Sequence, residues 1–180
     1  MKWNIGNKIG GLIVFAILSF AVLGSLSYLT IRDLNTSVKM STHTYEVIQT
    51  NDLIISYMKD AETGQRGYII TGEDEYLKPY QAAKAKIYET MDQLKELTKD
   101  PGQQQILAGY LSLIDAKFAE LQETIELRTE EGFEAAQKVV ITDKGKAIMD
   151  NFRKLSSDFD NCELDLMEIR DNKMNDDANT

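Results

Sequence analysis

The fold is decided by the stretch from residue 32 to residue 71, RDLNTSVKMSTHTYEVIQTNDLIISYMKDAETGQRGYIIT. Steps of four and three residues alternate along it without a break, which is heptad spacing and predicts a long helix with one buried seam. We expect this helix to reach about residue 70. The predicted seam consists of Leu34, Val38, Ser41, Tyr45, Ile48, Asp52, Ile55, Lys59, Glu62, Arg66 and Ile69.

The segment before this helix is apolar and uncharged from Ile9 to Ile31, between Lys8 and Arg32. More than about 20 apolar residues, at 1.5 Å of rise each, cross a hydrocarbon core of about 30 Å. Residues 9–31 are therefore predicted to be a transmembrane helix. Because Lys2 and Lys8 precede it, residues 1–8 are expected in the cytoplasm and the rest of the chain outside. The chain is expected to cross the membrane once.

A cleaved secretory signal is the alternative interpretation of the same segment. Residues 1–8 resemble a basic leader, and Ser25-Leu26-Ser27 offers small residues to a peptidase. An uncleaved anchor is favoured, because the apolar run exceeds the ~7–15 residues of a signal core and lacks an A-x-A site. Both interpretations export the chain that follows, and the sequence leaves cleavage open.

A turn separates the first helix from a second one. Thr71 is a candidate N-cap, because the acidic Asp74 follows it by three residues. The second helix is expected to run to about Lys99, with a kink or a restart near Pro79.

The third helix is marked by its start. Asp100 followed by Pro101 is typical of an N-cap and a proline at the first helical position. Gly132 and the stretch 141–145 later interrupt the periodicity and leave residues 133–140 as a short helix. The inward stripe expected for the third helix is Leu107, Leu111, Ile114, Phe118, Leu121 and Ile125.

The last helix again has heptad spacing. Four helices with apolar stripes and short connections bury their faces best as an antiparallel bundle, so the predicted fold is all-α, with an N-terminal transmembrane helix continuing into an antiparallel four-helix bundle. The bundle is expected to occupy residues 32–174, and residues 175–180 form a polar tail. The stripe predicted for the last helix is Ile148, Phe152, Leu155, Phe159, Cys162, Leu166 and Ile169.

Composition argues against several classes of function. The chain has 20 basic and 29 acidic residues, a net charge of −9, which disfavours nucleic acid as a partner. Cys162 is the only cysteine and lies on the predicted core stripe, and His43 is the only histidine. These residues cannot supply paired metal ligands or a nucleophile with its base. We therefore expect no catalytic residues, no metal, no cofactor and no enzymatic activity.

One motif is specific. DAETGQRGYIITG at residues 60–72, followed by EYLKPY at residues 75–80, resembles the signature of the third class of CHASE domain, with a weaker echo in TEEGFEAA at residues 129–136. The resemblance implies a helical sensory module that lies outside the cytoplasmic membrane, in bacterial histidine kinases, cyclases and chemoreceptor-like proteins, between two membrane spans. The chain shows neither a second span nor a transmitter after residue 174, so a truncated receptor and a stand-alone relative both stay open.

Two interpretations of the motif remain. Gly64 and Gly67 cost about 1 kcal/mol each in a helix, which indicates that another backbone approaches closely there. A structural network is favoured, in which charges on the predicted seam pair, with Glu62 one turn before Arg66. The alternative is a pocket in which Gln65, Arg66 and Tyr68 bind a small anionic or polar metabolite. The full set of candidate residues is Asp52, Lys59, Glu62, Gly64, Gln65, Arg66, Gly67 and Tyr68.

The expected partners are the membrane and a second copy of the chain. Ala21, Gly24 and Ser25 form a patch of small residues on the apolar helix, which favours a homodimer. The function expected is sensory input to a membrane-bound bacterial receptor, with a small-molecule ligand or a partner protein as the signal. The alternative is a structural or adaptor membrane protein whose bundle binds another protein's helices.

Overall fold

The computed structural model describes residues 5–178, and within that range every regular element is a helix. Predictions for residues 1–4 and 179–180 lie outside this range. A short 3-10 turn, Asp74–Tyr76, precedes the second helix. The helices are α1 (Ile5–Thr71), α2 (Leu77–Leu97), α3 (Pro101–Glu130), α4 (Phe133–Ile141) and α5 (Lys144–Ala178).

The chain divides into two compact units, residues 1–42 and 43–180. In the first unit, α1 exposes large apolar side chains such as Leu12, Phe15 and Phe20. Its most apolar window has a mean hydropathy of 2.4 and buries none of its residues. It is the one helix within residues 5–178 that is long and apolar enough to cross a membrane.

The second unit is an antiparallel bundle of α1, α2, α3 and α5, as predicted. Thr44 on α1 donates to Glu163 on α5, and Asn51, further along α1, donates to Ser156, which lies earlier on α5, so the two helices run in opposite directions. Tyr80 and Tyr88 of α2 reach Gln122 and Asp115 of α3, which is also an antiparallel arrangement. The short α4 lies between α3 and α5 in the sequence and adds Ala136 to the buried residues.

The buried face of α1 differs by one position from the predicted seam. It follows Thr44, Val47, Asn51, Ile54, Met58, Ala61, Gln65 and Tyr68. Asp52, Lys59 and Arg66 are exposed and Glu62 is half-buried, so the prediction that these charges occupy core positions is wrong. The physical reason is that the observed register buries Ile54 and Met58 and leaves three charged groups in water, where their hydration is kept.

The stripe of α5 is also partly wrong. Phe152 and Phe159 are buried as expected, but Cys162 is only half-buried and Ile169 is 62% exposed. The observed buried face uses Met149, Phe152, Ser156, Phe159 and Glu163. On α3 the predicted stripe is buried except for Leu111, which is half-buried.

The ends of the helices show which caps were predicted correctly. Asp100 caps α3 as expected, because its Oδ1 accepts hydrogen bonds from the backbone of Gly102 at 2.8 Å and of Gln103 at 3.2 Å. Thr71, predicted as an N-cap, is instead the last residue of α1. Gly72, the residue after this end, adopts a φ of 75°. Arg128 donates to the Ile69 carbonyl at 2.7 Å, and its positive charge is favourable at the C-terminus of a helix.

Candidate functional site

A charged cluster joins three helices at one end of the bundle. It consists of Glu62 and Arg66 on α1 and Lys117 and Glu120 on α3. The Lys117 Nζ lies 2.8 Å from Glu120 Oε2 and 3.3 Å from Glu62 Oε1, and the Arg66 Nη2 lies 2.9 Å from the same Glu62 oxygen. Lys117 also donates to the carbonyl of Gly145 on α5 at 3.3 Å. One ammonium group therefore holds α1, α3 and α5 together.

Burial explains why Lys117 needs these partners. Its side chain is 1% exposed and that of Glu120 is 5% exposed. An isolated charge at such a depth costs several kcal/mol, and a neighbouring carboxylate offsets this cost when the geometry is good. Glu120 packs directly on the first turn of α5, where a side chain at Gly145 would bring a Cβ within 2.6 Å of Glu120 Oε2. The lack of a side chain at Gly145 therefore leaves room for the Glu120 carboxylate.

The space on the buried side of the charged cluster, next to Lys117 and Glu120, is small. A cavity of about 90 Å³ lies among Glu62, Gln65, Lys117 and Glu120. A water molecule takes about 30 Å³ of liquid volume, whereas sites for drug-sized ligands measure roughly 300–1,000 Å³. The volume favours the structural network over a metabolite pocket at this position.

The other motif residues pack the end of α1 against its neighbours. Gln65 is buried and donates to the hydroxyl of Thr124, and the Tyr68 hydroxyl lies 2.8 Å from that of Thr129. Asp52 and Lys59 are exposed and do not belong to the charged cluster. The motif therefore contributes Glu62, Gln65, Arg66 and Tyr68 to contacts with α3 or within α1, but not the whole predicted set.

The two motif glycines lie under the turn that follows α1. A Cβ on Gly64 would lie 2.7 Å from the carbonyl oxygen of Tyr76 and 3.1 Å from the backbone nitrogen of Tyr80. At Gly67 the added atom would meet the ring of Tyr76. The close backbone approach expected from the sequence is present at Gly64, and the contact at Gly67 is with a side chain.

A second polar group, here called the polar clamp, lies in the middle of the bundle. Its centre is Asn51, which is fully buried. The Asn51 Nδ2 donates to Ser156 Oγ and to Asp160 Oδ1, both at 2.8 Å, and its Oδ1 accepts from the Tyr110 hydroxyl at 2.7 Å. One amide thereby joins α1 to both α3 and α5. The polar clamp comprises Thr44, Asn51, Gln103, Tyr110, Ser156, Asp160 and Glu163.

Glu163 forms the other half of the polar clamp. It is fully buried and accepts hydrogen bonds from Thr44 at 2.8 Å and from Gln103 at 2.7 Å. Arg170 lies 3.5 Å from its Oε1. Gln103 Oε1 is buried and has no hydrogen-bond partner within the described part of the chain. Three helices are thus tied together at a second level, here through the buried side chains of Thr44, Gln103 and Glu163.

Burial changes the acidity of three groups near the polar clamp. It raises the pKa of the Asp160 carboxyl, an effect that the hydrogen bond from Asn51 opposes and the negative charge of Asp52 reinforces. It raises the pKa of the Tyr110 hydroxyl. Burial, followed by the negative charge of Asp100, also raises the pKa of the Cys162 thiol, which keeps it protonated and weakly reactive.

Sequence reasoning missed Asn51, Lys117, Glu120 and Glu163. A signal for Lys117 was present, because it falls on the heptad positions of α3. These are Gln103, Leu107, Tyr110, Ile114, Lys117, Leu121 and Thr124, all of them buried. Asn51 lay one residue from the predicted seam, at the position preceding Asp52.

Comparisons with known proteins place this geometry in context. A family model described as the CHASE3 domain matches residues 37–173. The chain is also similar to a solved structure, the sensor domain of the Rhodopseudomonas palustris histidine kinase HK9, with a TM-score of 0.63 and 22% sequence identity. The similarity covers 68% of this chain and 97% of that one, and at this identity it supports the fold alone. The comparison with curated proteins found no match.

Proposed function

Because the chain belongs to the CHASE3 domain family, whose members are sensor domains, we propose that it is the extracytoplasmic input module of a membrane-bound bacterial signal-transduction receptor. The family assignment covers the bundle and identifies it as a sensory domain. The candidate membrane span near the N-terminus supports attachment to the inner membrane by a single pass. Lys8 before the span supports a cytoplasmic N-terminus.

The polar clamp is the observation that carries the proposed mechanism. Asn51 makes hydrogen bonds to Ser156 and Asp160 on α5 that fit one axial register of α1 against α5. A small slide or rotation between the helices breaks these bonds, each with a net value of about 1 kcal/mol. Two registers of α1 against α5 that differ in free energy by a few kcal/mol are close enough for a ligand to shift the population from one to the other. Signalling then consists of a shift of α1 against α5.

A homodimer is the assembly we propose. The small side chains of Ala21 and Ser25 and the bare Cα of Gly24 permit close approach of two apolar helices. Beyond its own turn of helix, a Cβ added at Gly24 would meet no atom of the described residues within 4 Å, which leaves room for a partner on this face.

An adaptor role is the second candidate, in which the bundle binds the helices of another membrane protein. The exposed apolar side chains of Ile70 and Ile141 at one end of the bundle favour it. An adaptor does not require an α1–α5 register that changes with a signal, and this difference separates the two functions.

The location can be tested by cysteine labelling in intact cells. In a Cys162→Ser background, Lys99→Cys places a thiol on the bundle at a side chain that is 72% exposed. Ile5→Cys, which keeps Lys8, is the matched control on the cytoplasmic side. A membrane-impermeant maleimide, added to cells with a permeable outer envelope, is expected to label position 99 at once and position 5 only after lysis. Labelling of position 5 alone would reject the proposed topology.

A further inference from the structure

An apolar groove lies between the last turn of α1 and the short helix α4. Its volume is about 420 Å³, within the range of small-molecule sites. Ile69 and Ile70 line one wall, and Phe133 and Val140 line the other. Ile70 is 72% exposed, so the groove is open and accessible from water.

Arg66 gives the groove a single cationic group. It lines the groove together with the amide of Gln137, and among the described residues no other lysine or arginine does so. Its side chain is 58% exposed, and its ion pair with Glu62 uses Nη2. A guanidinium has five N–H donors in a planar fork, so the exposed side of the fork can receive a carboxylate in two parallel hydrogen bonds.

We propose that this groove binds a small monocarboxylate with an aliphatic body. This proposal rests on the proposed sensory function. The carboxylate pairs with Arg66, and the aliphatic part covers the side chains of Ile69, Phe133 and Val140. A dicarboxylate lacks a second cation among the lining residues, and an amine faces Arg66 with a like charge. Charge and apolarity together therefore select the ligand.

The position of Arg66 links the groove to the charged cluster. Arg66 and Lys117 share the same oxygen of Glu62, at 2.9 Å and 3.3 Å. A ligand carboxylate on the exposed side of the guanidinium shares Arg66 with Glu62 and weakens the Arg66–Glu62 pair, and Glu62 then relies more on Lys117. Because Lys117 also donates to Gly145 at the start of α5, occupancy of the groove alters the contact that holds α1 and α5 together.

Photolabelling of the full chain in lipid nanodiscs tests the ligand class. The probe is azipentanoate, a short alkanoic acid that carries a photoreactive diazirine, and its primary amide is the neutral control. Arg66→Gln removes the cation. Arg153→Gln is the matched control, since Arg153 is a half-exposed arginine on α5 that pairs with Asp150. Val140→Asp places a second carboxylate in the groove, where it repels the carboxylate of the ligand and can itself pair with Arg66. Circular dichroism establishes that each variant is folded.

We expect the acid to label peptides of α4 and of the last turn of α1 at least about tenfold more than the amide does, since one charge-assisted hydrogen bond corresponds to a factor of about ten in affinity. Arg66→Gln and Val140→Asp should abolish this excess, whereas Arg153→Gln should keep it. Excess hexanoate should compete, and hexanol should not.

Three results would overturn the inference. Equal labelling by the acid and the amide would show that the groove binds apolar groups without regard to charge, as a docking surface for a partner protein does. Labelling that persists in Arg66→Gln would show that the cation does not contribute to binding. Absence of label from both walls would show that the ligand does not bind in the groove. If the maleimide test nevertheless gives the expected topology and the clamp variants change signalling output, the sensory function stands and only the ligand class fails.

Discussion

Gly64 has no space for even a methyl group. A Cβ there would lie 2.7 Å from the backbone oxygen of Tyr76, an atom that cannot move without displacing the turn between α1 and α2. Gly64→Ala should therefore lower the free energy of unfolding by about 1–3 kcal/mol, the usual cost of overpacking, although alanine is favoured in helices by roughly 1 kcal/mol. Thr63→Ala, at the exposed neighbouring position, is the control and should be nearly neutral. Denaturant midpoints measure both, and an unchanged midpoint for Gly64→Ala would contradict the close contact.

Lys117 is the buried cation of the charged cluster. Lys117→Met leaves the carboxylates of Glu62 and Glu120 without their buried cation, so we expect a loss of about 3–5 kcal/mol. Adding Glu120→Gln should recover much of this loss, because the double variant removes both members of the most buried pair. Lys144→Met is the control, since its ion pair with Glu123 is exposed and should contribute less than about 1 kcal/mol.

The same measurement separates Arg66 from Lys117. Arg66 is more than half exposed, so Arg66→Met should change the free energy of unfolding by no more than about 1 kcal/mol. Equal losses for Arg66→Met and Lys117→Met would show that the cluster does not depend on the buried ammonium group.

At the scale of helices, Asp160 makes the α1–α5 contact dependent on pH. Burial raises the pKa of its carboxyl in the folded chain above the value in the unfolded chain. Between those two values the folded chain binds more protons, so this group's contribution to stability increases as the pH falls through the raised pKa and is lost as the pH rises.

Asp160→Asn supplies a permanently neutral group that still accepts a hydrogen bond from Asn51. We expect it to raise the denaturant midpoint at pH 7, with a gain that shrinks as the pH is lowered through the raised pKa. Asp158→Asn, an exposed position on the same helix, is the control. A gain for Asp160→Asn that is independent of pH would contradict the assigned cause.

The helices themselves could be predicted from the sequence, but the register of α1 could not. Val47 and Ile48, and again Ile54 and Ile55, are adjacent apolar pairs, so two seams one residue apart both have heptad spacing. The choice between them depends on the neighbouring helices, which bury Met58 and leave Lys59 in water. A single helix pattern does not contain that information.

The start of α3 was predictable for the opposite reason. Asp100 and Pro101 act locally, through backbone groups within three residues, so no distant part of the chain affects the outcome. The charged cluster could be predicted from the sequence only in part. Its Glu62–Arg66 pair is local and was expected, whereas the partnership of Lys117 with Glu62 spans 55 residues and requires the fold.

At the scale of the whole molecule, the proposed dimer makes a prediction about the apolar helix. In a Cys162→Ser background, Ser25→Cys places a thiol on the small-residue face, and Leu23→Cys places one on the opposite side of the helix. Oxidation in native membranes should form disulfide-linked dimers at position 25 several-fold faster than at position 23. Equal rates at both positions would indicate random collision instead of a dimer that uses this face.

The central claim is that the bundle passes a signal on through the register of α1 against α5. Its most direct test joins residues 1–174 to the second membrane span and cytoplasmic transmitter of a bacterial histidine kinase and measures autophosphorylation in membranes. Asn51→Ala removes the centre of the polar clamp, Asp160→Asn is a milder change in the same contact, and Gln49→Ala, an exposed position one half-turn away, is the control. Coupling energies of about 1–3 kcal/mol correspond to changes of 5–150-fold, so the two clamp variants should alter kinase output at least about fivefold while Gln49→Ala leaves it unchanged. Identical output from folded wild-type, Asn51→Ala and Asp160→Asn chimeras would contradict the sensory account and favour the adaptor role.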